Sequence, residues 1–354
     1  MIKRNEQAVA RGGGRLAHGG EGFKHLTLAH GGGGQVSDEL LRQVILPGLG
    51  SSPDAPLLDS AAIGRDLALT IDSYVVQPWR FPGGDVGRLA VCGTVNDLAV
   101  CGAMPIGLAL SLIMPEGTPR EDVETVLASI RTALDEAGTR VLTGDTKVVA
   151  RDDADGFYIT TAGVGRVHRR ARLSPGRVEP GDRVIVSGPL GEHGLAVMLA
   201  REMPELESSL QTDAAPLNGL VEDLLDRFGE AISFMRDPTR GGLSTLAVDL
   251  AQASGWRVVL EERALPIDAG VEHAAEMLGL DPLEIANEGK LVATVRGDAA
   301  DDVLAVMHAH ARGRGAAIVG RVEDIRDGRC ELHTGIGGRR IVQKPYGEQL
   351  PRIC

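Results

Sequence analysis

Apolar residues recur along this chain in two rhythms. Short continuous runs, LALTI at 67–71 and GLALSLI at 107–113, predict buried strands. Between them LAVCGTVNDLAVCGA at 89–103 is rich in small residues and reads as a packed helix. The clearest helix spans 119–137. Thr118 offers a cap, Pro119 suits the first position and Glu121 completes a capping box. Val123, Val126, Leu127, Ile130 and Leu134 then fall on one face at helical spacing. GFYITTAGVG at 156–165 predicts a further strand that closes this half.

ARLSPGRVEPGD at 171–182 holds prolines and glycines and no core pattern, so it marks a junction. Beyond it, strands are predicted at 183–189, 257–261, 290–295 and 316–320. Helices are predicted near 194–203, 218–228, 241–253 and 299–312. Strands and helices mix throughout, which gives an α/β (α+β) fold in two domains. Residues 1–25, rich in Gly, Arg and His, read as a loose extension. LAHGG at 16–20 recurs as LAHGGGG at 28–34, too short to signal a repeat architecture. The end of the chain, VQKPYGEQLPRIC, lacks a core pattern and is expected to reach into solvent.

Composition narrows the function. Hydrophobic residues make up 43% of the 354, enough for substantial cores. The formal charge of −12 argues against nonspecific binding to nucleic acid or anionic membranes. Aromatics at 3% leave no platform for stacking bases. No apolar stretch has membrane-spanning length, and the N-terminus has no signal-peptide core. Four cysteines without CxxC spacing favour reduced thiols and a cytoplasmic setting.

The candidate chemistry centres on aspartates. Asp72 in TIDS, Asp97 in TVNDLA, Asp145 in GDTKV and Asp237 in RDPTRGG each follow an apolar element and border small residues. Singly, each is a common cap or turn aspartate. As a set they suit a rim where Mg²⁺, a hard ion with oxygen ligands, meets phosphates. The glycines 31–34, followed by Ser37 and Asp38, can drape backbone N–H groups over phosphates, although no Walker A sequence follows. His30 beside them is a candidate phosphate contact or an exposed loop histidine. Lys147 is a candidate for neutralising a transferring phosphoryl group, or is simply solvated. Glu288 in NEGKL is a candidate base or a turn residue. Arg236 and Arg240 bracket DPT, placed to pair with phosphate or with the aspartates. Cys354, the last residue, has no core to fill and suits a nucleophile or acyl carrier. Its own carboxylate disfavours the thiolate, so it needs a cationic neighbour, for which Arg352 is one candidate.

LAHGGGG…SD, TIDSYVV, GGDVGRLAVCGTVNDLAVCGA, GDTKVV, RDPTRGGL, NEGKL and the terminal PRIC together resemble the hydrogenase expression/formation (maturation) family HypE, of the AIR synthetase-related, PurM-like superfamily. The resemblance runs from about residue 26 to 354. It implies an N-terminal ATP-binding and dimerisation domain at 26–172, whose strands build an intersubunit barrel in a homodimer. It implies a C-terminal α/β domain at 173–340 and a mobile tail at 341–354. ATP and Mg²⁺ are the implied cofactors. His30, Gly31, Gly32, Asp38, Asp72, Asn96, Asp97, Asp145, Thr146 and Asp237 are implied around the nucleotide, with Asp72, Asp97, Asp145 and Asp237 on the metal. The implied reaction is ATP-dependent dehydration of an S-carbamoyl group on Cys354 to a thiocyanate. Lys147 and Glu288 would act there as charge stabiliser and base, with the roles open to exchange. The implied partners are the carbamoyltransferase HypF and an iron-carrying HypC–HypD complex.

Two other functions compete. A selenophosphate synthetase would keep the ATP site, but that family carries a reactive Cys and a Lys in its glycine-rich loop, where this chain has His30 and Gln35. A non-catalytic carrier would use the tail only to dock.

Overall fold

The computed structural model describes residues 23–54, 57–347 and 352–354. The first LAHGG copy and most of the loose extension expected at 1–25 lie outside the described residues.

The N-terminal half is built on a five-stranded sheet. Its spatial order is Ala61–Ile63, Leu67–Tyr74, Tyr158–Val167, Ala103–Pro115, Val141–Val149. Neighbours are antiparallel except the last pair, which runs parallel through the Arg120–Ala137 helix. Helix Val86–Val100 packs on one face of this sheet. Asp85 starts it, its Oδ1 accepting from Gly87 N at 2.8 Å and Arg88 N at 3.0 Å. Small residues let this helix approach closely: a Cβ on Gly93 would sit 2.2 Å from the Tyr74 hydroxyl. The small-residue segment thus forms a helix because its bulk matches a shallow gap, which periodicity alone would not disclose.

Helix Arg120–Ala137 forms where expected but starts differently. Pro119 is its N-cap and no side chain caps it, while the Thr118 hydroxyl donates to Pro115 O at 2.7 Å. Val126, Ile130 and Leu134 are buried as the spacing predicts, whereas Leu127 is exposed. Gly138 ends the helix in the left-handed region at φ +63°, where a Cβ would be strained. Strand Val141–Val149 was missed by the sequence reading because GDT interrupts its apolar pattern.

The C-terminal half carries a seven-stranded sheet in the order Arg339–Val342, Cys330–His333, Arg257–Glu261, Ala317–Glu323, Arg183–Val186, Val292–Val295, Ile232–Arg236. Helices Gly242–Ser254 and Asn218–Phe228 bury their apolar residues in two clusters associated with this sheet. Another core cluster takes residues from both halves, including Leu89, Leu112, Leu195, Val271 and Ile353. The sheets therefore form a continuous body, and the loops at their meeting place are held from two sides.

The tail corrects the sequence reading. Instead of running into solvent, the end of the chain folds back after edge strand Arg339–Val342, and Ile353 is 3% exposed within the core cluster. Lys344 fastens the root of the tail, 2.6 Å from Asp38 and 2.5 Å from Asp249. Gln35 N also donates to Pro345 O at 3.0 Å, so the glycine-rich segment and the tail root are joined. Among the described residues, no helix is long and apolar enough to cross a membrane.

Candidate active site

Carboxylates converge where the two halves meet. Asp72 comes from strand Leu67–Tyr74, Asp97 from helix Val86–Val100, and Asp237 from the turn after strand Ile232–Arg236. Asp59, which the sequence reading missed, completes the group from the segment ahead of strand Ala61–Ile63. One carboxylate oxygen from each of Asp59, Asp97 and Asp237 lies within 4.8 Å of the others. The Thr70 hydroxyl ties two of them together, 2.8 Å from Asp97 Oδ2 and 2.7 Å from Asp59 O. LLDS carries no motif beyond an acidic residue beside small ones, so only its position across the sheet reveals Asp59.

Removing these groups from water and setting like charges together raises their pKa values. Burial pushes Asp97 well above the carboxylate range, and Asp237, Asp72 and Asp59 add to it. Burial and then Asp59 push Asp237 up to about 8. Asp59 rises through burial, against the opposing charge of Arg236 at 3.1 Å. Asp72 rises through burial, opposed by Arg240. Glu288, 3% exposed, is held well above its usual value by burial and then by Asp237, Asp213 and Asp72. The backbone around Glu288 is fixed by Asp213, which accepts from Glu288 N at 3.1 Å and Gly289 N at 3.2 Å. Lys290 neutralises Asp213 from 3.1 Å.

The chain's own end enters this place. The negative charge at Cys354 is the foremost influence raising the pKa of Arg240, with Asp72, Glu288 and Tyr74 acting in the same direction against burial. Arg240 is therefore the cation nearest in influence to the charged end of the chain. Arg352, the cation named from sequence, is instead paired with Asp155, its Nη2 lying 2.9 Å from Asp155 Oδ1.

Other expected residues fall elsewhere. Asn96 is buried, but its amide is satisfied within the protein: Nδ2 donates to Ala215 O at 3.0 Å and Glu288 O at 3.1 Å, and Oδ1 accepts from Leu217 N at 2.8 Å. It braces the site rather than presenting a free group to a nucleotide. Asp38 is held by Lys344. Gly31 and Gly32 belong to the segment over Arg240, whose Nη1 donates to Gly31 O at 2.8 Å. His30 Nδ1 lies 3.0 Å from Thr27 N, while its Nε2 is buried without a partner among the described residues. Asp145, Thr146 and Lys147 lie on the exposed edge strand, with Lys147 Nζ 2.6 Å from Asp145 Oδ2. These two charges pair with each other, and Asp145 lies outside the group formed by Asp59, Asp97 and Asp237. A cavity of about 630 Å³ opens beyond Glu288, lined by Lys290, Asp213 and Arg88 among others, but none of the clustered aspartates borders it.

The comparisons with known proteins agree on one family. Residues 54–167 match the AIR synthase related protein N-terminal domain, and residues 179–333 match its C-terminal domain. Carbamoyl dehydratase HypE of Rhodobacter capsulatus is 44% identical over 339 residues, covering 94% of this chain and 98% of that protein. The chain belongs to the HypE family. HypE of Escherichia coli K12 is 40% identical over 340 residues, covering 94% of this chain and all of that protein. Among solved structures, HypE in complex with ATP aligns with a TM-score of 0.78 at 39% identity, covering 93% of this chain and 100% of that one. A HypE–HypF complex aligns at 0.81 and 40% identity, covering 86% of this chain and 99% of that one. A thiamine monophosphate kinase from Aquifex aeolicus, at 18% identity and a TM-score of 0.60, shares the fold. HypE-family membership thus accounts for the two-domain PurM-like body.

Proposed function

We propose that this chain dehydrates an S-carbamoyl group on its own Cys354, using ATP, to give a protein thiocyanate for hydrogenase maturation. The observation that carries this is the return of Cys354 to the carboxylate site: its O accepts from Val75 N at 3.2 Å, three residues from Asp72, and Arg240 feels the charge of both Cys354 and Glu288. A carrier that only docks has no need of a buried base and a buried carboxylate group at its thiol.

The chemistry follows from the weakness of an amide as an electrophile. The carbamoyl oxygen of Cys–S–C(=O)NH₂ attacks the γ-phosphorus of ATP, ADP departs and one N–H proton is lost to solvent, leaving an O-phosphorylated imidate. Removal of the remaining N–H proton with loss of phosphate gives Cys–S–C≡N. The second step needs a base in a water-poor place. Glu288 suits it, because burial makes its carboxylate a stronger proton acceptor while Arg240 supports the ionised form. Arg240 also sits where negative charge collects on the tail.

Asp59, Asp97 and Asp237 offer a compact, oxygen-only set whose mutual repulsion a hard dication would relieve, so the residues fit Mg²⁺. They would hold the ion, with Asp72 beside them. Bound there, it would neutralise nucleotide phosphate charge. The glycine-rich segment at 31–34 would cover the phosphates.

A second copy of the chain fits the outer face of the five-stranded sheet, where Leu69 and Ile71 are exposed on one face of their strand. That face includes the strand bearing Asp145, Thr146 and Lys147. Dimerisation would place these residues at the boundary between chains and give Lys147 a route to the reaction. HypF as carbamoyl donor and a HypC–HypD complex as cyanide acceptor complete the reading, in a cytoplasm that keeps Cys354 reduced.

The test is intact-protein mass spectrometry. After loading by the carbamoyltransferase, the isolated adduct is treated with Mg-ATP. Loss of one water from the Cys354 peptide is expected. An adduct unchanged by Mg-ATP would leave the chain a carrier.

A further inference from the structure

The last three residues lie in a groove that reads their backbone. Gln77 N donates to Arg352 O at 3.1 Å and Val75 N donates to Cys354 O at 3.2 Å, a short antiparallel pairing. Arg201 joins the same place from helix Glu192–Glu202, with Nη2 donating to Arg352 O at 2.9 Å and Nε donating to Gln77 O at 2.7 Å. The carbonyl between these rungs, Ile353 O, lies 2.8 Å from His193 Nε2.

His193 has no exposure. Its bonds define one tautomer. A carbonyl oxygen only accepts, so Nε2 carries the proton. Nδ1 lies 2.7 Å from Thr212 Oγ1 and then accepts from that hydroxyl. Thr212 Oγ1 in turn accepts from Ala214 N at 3.1 Å, which fixes the hydroxyl's own direction. The Phe81 ring stands edge-on to the imidazole with centroids 5.5 Å apart and limits its rotation. The imidazole is thus a fixed donor aimed at one atom of the tail. When the tail leaves, that buried N–H loses its partner, and an unmet buried donor is unfavourable. The same bond that seats Cys354 opposes its release.

We propose that His193, held in one tautomer by Thr212, is a positioning residue that seats Cys354 beside Arg240 and sets how the tail divides between its own site and its loading partner. This rests on the dehydratase reading, because only there does the seated state carry out a step. Loading by a partner requires the released tail, whereas dehydration requires the seated one. Weakening the His193 bond therefore moves the two steps in opposite directions. A global packing defect would depress both.

The test compares the full-length wild-type protein with His193→Leu, His193→Gln and Thr212→Val. Leucine removes the donor, glutamine restores an N–H at similar reach, and valine leaves His193 without its tautomer-fixing partner. Each protein is assayed for Cys354 labelling by a thiol reagent, for loading by the carbamoyltransferase, and for single-turnover loss of water with Mg-ATP. ATP binding is measured alongside. His193→Leu is expected to label faster and dehydrate more slowly by about 2- to 12-fold, the factor that a net ~0.5–1.5 kcal/mol hydrogen bond represents at ~1.4 kcal/mol per tenfold. Loading should be no slower, ATP binding should be unchanged, His193→Gln should recover most of both rates, and Thr212→Val should lie between. Equal labelling and dehydration in wild type and His193→Leu would overturn the proposal. So would failure of His193→Gln to recover either rate, or loss of ATP binding together with slower loading. If the wild-type adduct does not lose water with Mg-ATP, the dehydratase reading fails, while the labelling comparison still decides whether His193 seats the tail.

Discussion

Truncation of Ile353 to alanine isolates the apolar part of tail seating. The side chain is 3% exposed in a cluster fed by both halves of the molecule. Ile353→Ala removes three carbons, worth about 2.4 kcal/mol at ~0.8 kcal/mol per buried carbon, or up to about 60-fold in the seating equilibrium. Ile353→Val removes one, worth about 0.8 kcal/mol, or roughly 4-fold. Seating is reversible and local, so the fold should persist while the released fraction rises. The assay is the rate at which a thiol reagent labels Cys354, read on the terminal peptide by mass, with buried Cys92 and Cys330 as internal controls. Labelling should rise in the order wild type, valine, alanine, and ATP-dependent water loss should fall in the same order. Labelling that changes less than 2-fold in Ile353→Ala would refute burial as the source of seating. Equal acceleration at Cys92 would indicate general loosening instead.

Three further outcomes follow from the site. Glu288→Gln keeps shape and removes the base, so single-turnover water loss should fall by about 10²–10⁴-fold with nucleotide affinity retained; retained turnover with wild-type rate would move the base elsewhere, Lys147 first. Burial and then Asp59 hold Asp237 up to about 8, well above an ordinary carboxylate, so the folded chain keeps a proton the unfolded chain has lost, and stability falls as pH rises from about 4 to about 8. Thermal unfolding in EDTA should show that decline, and Asp237→Asn should flatten it; superimposed curves would contradict the electrostatic account. Lysine at both Leu69 and Ile71 should give a monomeric mass in light scattering where wild type gives a dimer, since two charges would enter an apolar face; an unchanged mass would place the contact on another surface.

The sequence disclosed elements more readily than the site's boundaries. Apolar runs at 67–71 and 107–113 became strands because their residues alternate between a helix-covered face and an open one. Strand Val141–Val149 was hidden, because its residues are nearly all exposed and a polar GDT lies at its centre. Asp72, Asp97 and Asp237 were legible from their context at the ends of apolar elements. Asp59 was not, since its membership depends on which strands become neighbours. Asn96 shows the converse. It stands beside Asp97 in sequence, yet helical geometry turns its amide to other partners. His193 carried no signal at all, because its meaning lies in a carbonyl 160 residues away.

The clamp on Lys344 gives the tail a measurable leash. Cys354 lies ten residue steps beyond Lys344, so with its root held the thiol can travel at most about 33–36 Å from that point. Any protein that modifies or unloads the cysteine must bring its own catalytic pocket within that radius, and cannot work from a remote face. A short tether also gives the thiol a high local concentration at every site it can reach. Lengthening the leash would dilute that advantage without altering a single contact in the seated state.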